Sequence, residues 1–533
     1  MSSLLFRSFA VALGAAFSST ALAQAIGPST TTEPFVLPSI PGVATKSILT
    51  AGDSVQGYRL VGVPDGIGLL EREDDRFDIA LNHELGRDKG VTRSHGSIGA
   101  FVSRWSLSRS LKVKAGRDHI ANPGSLFLAS NGQWVAGTTA FDRFCSGDLA
   151  ERSAYSFGVF GTRNRIYLNG EETTPPSADN HGRVFAHVLT GPDANKTFQL
   201  PHLGRAAVEN ALASPFPQLK TVVMVSDDAN RTTGLTKSTV CRSLGQTSCD
   251  EAPTELMMYV GMKQIRGNDV QRAGLVGGNL FGLRIVIPGG TRVAAENKDY
   301  VFGTAAPAIT TARFEPVSLG DVSGKTGVEI QDLLIENQVT QFVRIEDGAW
   351  DPRPGKQRDY YFVTTGRLDA DPAKWRPSRL WRLRFDNIAR PELGGEITML
   401  LSSAYYADAA TTPDSDPNYQ MFDNITIDRL GRIVLLEDVG GNNRLGRLYV
   451  YGIDSGKLVQ VAAHNPKFFK PSSPSTPDFQ TIDEEASGVV DAEEFLGRGW
   501  FLFDSQNHKP STDTELVESG QLLALYIDPK IAR

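Results

Sequence analysis

The 533-residue chain carries a formal net charge of −7 and is 40% hydrophobic. This is a globular composition with ample length for a core, and its mild acidic balance excludes nucleic acid as the expected partner. Length alone points to roughly two to four domains, unless repeated units add laterally without thickening one core.

The N-terminus reads MSSLLFRSFAVALGAAFSSTALAQA, with Arg7 the only charged side chain before Glu33. A basic start, a short apolar run and Ala21-Leu22-Ala23 predict a signal peptide over residues 1–23, so the protein is expected to be exported, periplasmic or extracellular. No later stretch is long and apolar enough to span a bilayer. Residues 24–50, rich in Pro, Ser and Thr, are expected as an extended N-terminal arm, followed by one domain over residues 51–533.

Six related stretches follow. Pro64–Glu84 begins PDGIG and ends FDIALNHE; a weaker copy runs from Cys145 to RIYLNGEE at Glu171-Glu172. Val208–Asp228 begins VENA and ends TVVMVSDD, and Val343–Thr365 reads VRIEDGAWDPRPGKQRDYYFVTT. Met421–Asp438 reads MFDNITIDRLGRIVLLED, and Glu484–Asp504 reads EEASGVVDAEEFLGRGWFLFD. Most of these units deliver an acid, turn, and return an apolar run that reads as a buried strand. All but the one at Tyr360–Val363 end on an acid or acid pair. Repeated β units along a long chain predict an all-β fold, a six-bladed propeller with few short helices and an axial cavity. Acid-bearing ends converging on that cavity would repel without cations, so bound metal is expected.

Between the units, Glu329–Gln338 is the best helix candidate. Cys241 and Cys249 are close enough for a small loop disulfide, leaving Cys145 as the odd cysteine, buried or a ligand. GDVSGKT at Gly320–Thr326 has the wrong glycine spacing for a phosphate loop, His83-Glu84 lacks the second His of a zincin, and no G-x-S-x-G is present.

Taken in order, these stretches resemble the PhoX-type alkaline phosphatases, secreted six-bladed propellers with calcium and iron in a central site. The matching stretches are Asn82-His83-Glu84, Cys145-Ser146-Gly147, Leu168–Glu172 followed by His181-Gly182, and LGRAAVENA over Leu203–Ala211. Asp227-Asp228, Arg344–Asp347, Asp423-Asn424 and Glu485–Gly488 continue the series. The resemblance runs from about Asn82 to Gln506. It implies Glu84, Glu171, Glu172, Glu209, Glu346, Asp423 and Glu485 as metal ligands. Gly170 falls where the family is expected to carry an iron-ligand cysteine, which counts against iron and leaves calcium as the expected ion. Hard carboxylate oxygens suit calcium.

In this reading Arg344 and Glu346 are the catalytic pair. Arg344 grips a phosphoryl group with its planar fork, Glu346 holds a cation beside it, and the substrate is a small phosphorylated molecule cleaved by a monomeric enzyme. The alternatives are a non-catalytic calcium-stabilised propeller that binds a ligand or partner, and a phytase-like or lactonase-like propeller hydrolase.

Overall fold

The structure is a computed structural model that describes residues 23–72, 74–173, 182–228, 254–293, 295–296, 310–369, 371–372, 374–406, 416–441, 444–470 and 477–533. Cys241, Cys249, His181 and the signal-peptide residues 1–22 lie outside the described residues. Each of the six stretches folds as an antiparallel strand pair, the inner half of one blade. The innermost strands are Pro64–Glu71, Phe144–Asp148, Val208–Ala213, Ile345–Trp350, Phe422–Ile427 and Glu484–Asp491. Each packs against the next, and the last packs against the first, so six blades close into a ring. The six-bladed, all-β expectation is met.

A blade is covered on both faces by its neighbours, so its strands read as unbroken apolar runs, such as Ile433–Leu436. The interior is accordingly six apolar layers, one at each blade junction. Leu168 and Val208 meet between blades two and three, and Met224 and Phe362 between blades three and four. Strand Thr311–Gly320 pairs with the outer strands of both blades three and four and joins them into one sheet.

Strands within residues 24–50 are woven into the ring. Val36–Pro38 becomes the outer strand of blade five, and Val43–Thr50 pairs with Ser519–Ile527 in blade six. The side chain of Gln521 fastens this closure, accepting from the Phe35 N–H at 2.7 Å and donating to Thr50 Oγ1 at 3.0 Å. The expected helix is present as Gly327–Glu336, started by a capping box between Thr326 and Glu329. Among the described residues, no helix is long and apolar enough to cross a membrane.

One device recurs in every blade. The innermost strand carries one extra residue relative to its partner, a β-bulge. Bulges twist a strand and re-aim its side chains. The bulged pairs are Asp65-Gly66, Cys145-Ser146, Glu209-Asn210, Glu346-Asp347, Asp423-Asn424 and Gly488-Val489. In five blades, the residue just past the second strand's bulge partner donates its N–H to the carbonyl of the residue before the innermost strand. These bonds are Glu84 to Val63, Glu172 to Arg143, Asp228 to Ala207, Thr365 to Arg344 and Asp438 to Met421, at 2.9–3.1 Å. Four of the five accepting residues, Val63, Arg143, Arg344 and Met421, hold φ between 45° and 58°. Non-glycine residues rarely adopt that conformation, least of all a β-branched one such as Val63, and it is held here by the repeated bond.

Candidate metal centre

The bulges aim their first residues at the axis, and the repeated N–H bond places Glu84, Glu172, Asp228 and Asp438 beside them. The result is a chain of linked donor groups. Asp65, Glu84 and Cys145 offer donor atoms within 4.8 Å of one another. So do Cys145, Glu172 and Glu209; then Glu209, Glu346 and Asp423; then Asp423, Asp438 and Glu485. Of the ligands expected from sequence, Glu84, Glu172, Glu209, Glu346, Asp423 and Glu485 are brought together.

Glu171 is not among them, and this corrects the sequence reading. Neighbouring residues on a strand point to opposite faces, so Glu171 and Glu172 cannot both reach the axis. Glu171 turns into its blade, where Arg183 donates to both of its carboxylate oxygens at 2.6 and 2.7 Å. The same division applies to Glu437 and Asp438: Glu437 accepts from Arg444 at 2.7 Å, while Asp438 joins the centre.

The second bulge residues form the floor of the site. Ser146 donates to Glu209 at 2.7 Å, and Asn210 donates to Asp347 at 2.7 Å. Asn424 donates to Asp423 at 2.8 Å, and its carbonyl oxygen accepts from the Gly488 N–H at 2.9 Å. Side chains tied in this way hold the acids above them in fixed positions, as outer-shell partners do in metal sites.

Two arginines stand at the rim, each immediately before an innermost strand. Arg344 donates from Nε and Nη2 to the two oxygens of Asp228, at 3.1 and 2.7 Å, and its Nη2 lies 2.9 Å from Glu346. Ile345, between them, is fully buried, so Arg344 and Glu346 share one side of the strand. Arg143 bridges Glu84 and Glu172 in the same manner. Both arginine side chains remain about half exposed (41% and 50%) over acids that are almost completely buried.

Burial, followed by the neighbouring carboxylates, sets the ionisation of the ring. Burial pushes Glu209 up to about 8 and Asp438 up to about 7. Burial also raises Asp65, Glu172, Glu346 and Asp423 well above the carboxylate range, against the pull of Arg143 on Glu172 and of Arg344 on Glu346 and Asp423. Glu84 is the exception. Burial acts on it too, but Arg143 and the Gln506 amide outweigh it and bring the carboxyl below its usual value. Acids packed so that they resist ionising together fit a site built for cations. The donors are hard carboxylate oxygens with one thiol, Cys145, among them, so acidic groups that could hold metal are in place while the identity of the ion is left open by this geometry.

The expectation about Gly170 also needs correcting. Its backbone packs against blade three, and a Cβ built there would lie 2.2 Å from Val208 Cγ1. A cysteine at Gly170 would enter the apolar layer between blades, away from the centre, whereas Cys145 already supplies a buried thiol inside it. Gly170→Cys is therefore expected to overpack that layer and destabilise the protein by about 1–3 kcal/mol. Thermal unfolding checks this, and an unchanged midpoint would show that the layer has room.

Sequence reasoning did not assign Asp65, Asp228, Asp438 or Arg143 to the site, and it left Cys145 as either buried or a ligand. Asp65 and Cys145 occupy the same bulge position as Glu209, Glu346 and Asp423, and alignment of the six units on that position would have found them.

No family model matches the chain, and no curated protein matches it either. Among solved structures, PhoX of Pseudomonas fluorescens, in complex with the transition state analogue vanadate, superposes with a TM-score of 0.61 at 14% identity, over 95% of this chain and 98% of that one. A GH93 α-L-arabinofuranosidase of Fusarium graminearum with arabinobiose reaches only 0.39 at 9% identity, over 90% and 97% of the two chains. A Dyadobacter fermentans protein of unknown function reaches 0.41 at 9% identity, over 92% and 100%. The chain is thus similar to PhoX in fold across nearly its whole length.

Proposed function

We propose that this protein is an exported, monomeric, metal-dependent hydrolase of small phosphomonoesters, releasing an alcohol and inorganic phosphate. The observation that carries the reading is Arg344. Its guanidinium is fixed by Asp228 and Glu346 yet half exposed directly over the ring of acids. A planar fork held over clustered cations suits a phosphoryl group, whose oxygens it can take two at a time. The fold neighbour's complex with vanadate, a transition state analogue, supports the same reading.

Glu84, Glu172, Glu209, Glu346, Asp423 and Glu485, joined by Asp65 and Asp438, would hold the cations, with calcium suited to the all-oxygen groups. Cys145 with Glu172 and Glu209 offers the softer set, suited to a transition metal such as iron. Bound cations would polarise the phosphoryl oxygens and lower the pKa of water. The chain's own residues do the rest. The floor of Ser146, Asn210 and Asn424 fixes the acids, and Arg344 orients the phosphoryl group and neutralises charge that grows on its oxygens.

The test is turnover by purified mature protein, with p-nitrophenyl phosphate, phytate and a lactone as substrates, after loading with calcium and iron. Release of p-nitrophenol abolished by chelator is expected. Cleavage of the lactone alone, or of none of the three by protein with full metal content, overturns the proposal; the latter outcome would favour a binding propeller.

A further inference from the structure

Five blades treat the residue opposite the start of the bulge alike: its side chain has a firm partner. His83 meets Ser103 Oγ at 2.9 Å, and Glu171 is held by Arg183. Asp227 accepts from the Ala207 N–H at 3.1 Å, Thr364 accepts from Trp381 Nε1 at 3.2 Å, and Glu437 is held by Arg444. The equivalent in blade six is Asp504, paired across the sheet with Ser487. Asp504 is fully buried, and among the described residues neither carboxylate oxygen has a hydrogen-bond partner.

Its surroundings are rich in oxygen. Blade six places Gly488 at the bulge position that carries a ligand-type side chain in each of the other blades, and without a side chain there the neighbouring oxygens close in on its backbone. A Cβ at Gly488 would lie 2.6 Å from Asp504 Oδ2 and 2.8 Å from the Asp65 carbonyl oxygen. Asp65 Oδ1 is also buried without a partner, while Asp65 Oδ2 accepts from Gln506 Nε2 at 2.8 Å. Gln506 lies two residues from Asp504, on the same face of the strand, and its Oε1 is a further buried acceptor with no donor. Leaving such a set buried and unsatisfied is strongly unfavourable.

We propose that Asp504, Asp65 Oδ1, the Asp65 carbonyl and Gln506 Oε1 form a structural site for a hard divalent cation of the calcium class, which pins blade six to blade one. The donors are all oxygen, the preference of calcium over thiophilic metals. Asp504 is fully buried, out of reach of a substrate, so the ion would serve the ring and not turnover. This inference goes beyond the proposed activity and does not depend on it.

The test compares calcium content in mature wild-type protein and D504N, each saturated with calcium and then dialysed free of excess. The variant is expected to hold one equivalent less and to unfold at a lower temperature. A crystal structure of the wild type grown in calcium covers the case in which the variant does not fold. Density 2.3–2.6 Å from an Asp504 oxygen, the usual calcium–oxygen range, is expected. Equal calcium content in the two proteins, or no density between Asp504 and Asp65, overturns the proposal; the oxygens would then share a proton.

Discussion

Arg344→Ala is expected to lower phosphomonoester turnover by about 10²–10³-fold, or roughly 2–4 kcal/mol, the usual effect of removing a preorganised donor to developing negative charge. The variant leaves Asp228 without its bidentate partner and Glu346 without its neighbouring cation. Metal content must therefore be measured alongside the rate. Arg344→Lys keeps the charge but loses the fork, so it should fall between wild type and alanine. A rate within about twofold of wild type, at equal metal content, would remove Arg344 from the mechanism.

Chelated protein is expected to become less stable as pH rises from about 5 to 8.5. The sign follows from the buried ring. Burial raises Glu209 to about 8 and Asp438 to about 7 in the folded state, whereas exposed carboxylates titrate near 4. Between those values the folded chain holds more protons than the unfolded chain, so stability declines with rising pH until the folded groups have ionised. The decline should amount to several kcal/mol, on the order of 1.4 kcal/mol for each unit of raised pKa. A cation such as calcium that binds the ionised ring of the folded chain alone should abolish most of the decline at pH 8.5. Unfolding midpoints measured across this range with and without chelator decide the matter. Superimposable curves would mean that the ring does not need cations.

The blades were legible because burial on both faces writes each inner strand as an apolar run, and because every hairpin returns to the same end of the axis. Register was harder to read. Whether Glu171 or Glu172 faces the centre depends on a shift of one residue, and the bulge that sets it has no fixed residue type: Asp-Gly, Cys-Ser, Glu-Asn and Gly-Val all occupy it. Asp65 was hidden for the same reason, inside PDGIG, which looks like an ordinary turn. The strand Thr311–Gly320, which welds two blades into one sheet, alternates exposed and buried residues and so lacked the apolar signature of the others.

The fastening of Val43–Thr50 onto Ser519–Ile527 has a kinetic consequence. The first and last segments of the described chain meet in one blade, so the ring cannot close during synthesis until the final strand has emerged. Contacts this distant in sequence are slow to form. The donor groups inherit the delay, since Asp65 and Glu84 come from the first blade and Glu485 from the last. A nascent or truncated chain would present scattered carboxylates with little hold on any ion. Capture of any ion would thereby await the emergence of Ser519–Ile527, and a chain cut short anywhere before Ser519 should remain both open and metal-free.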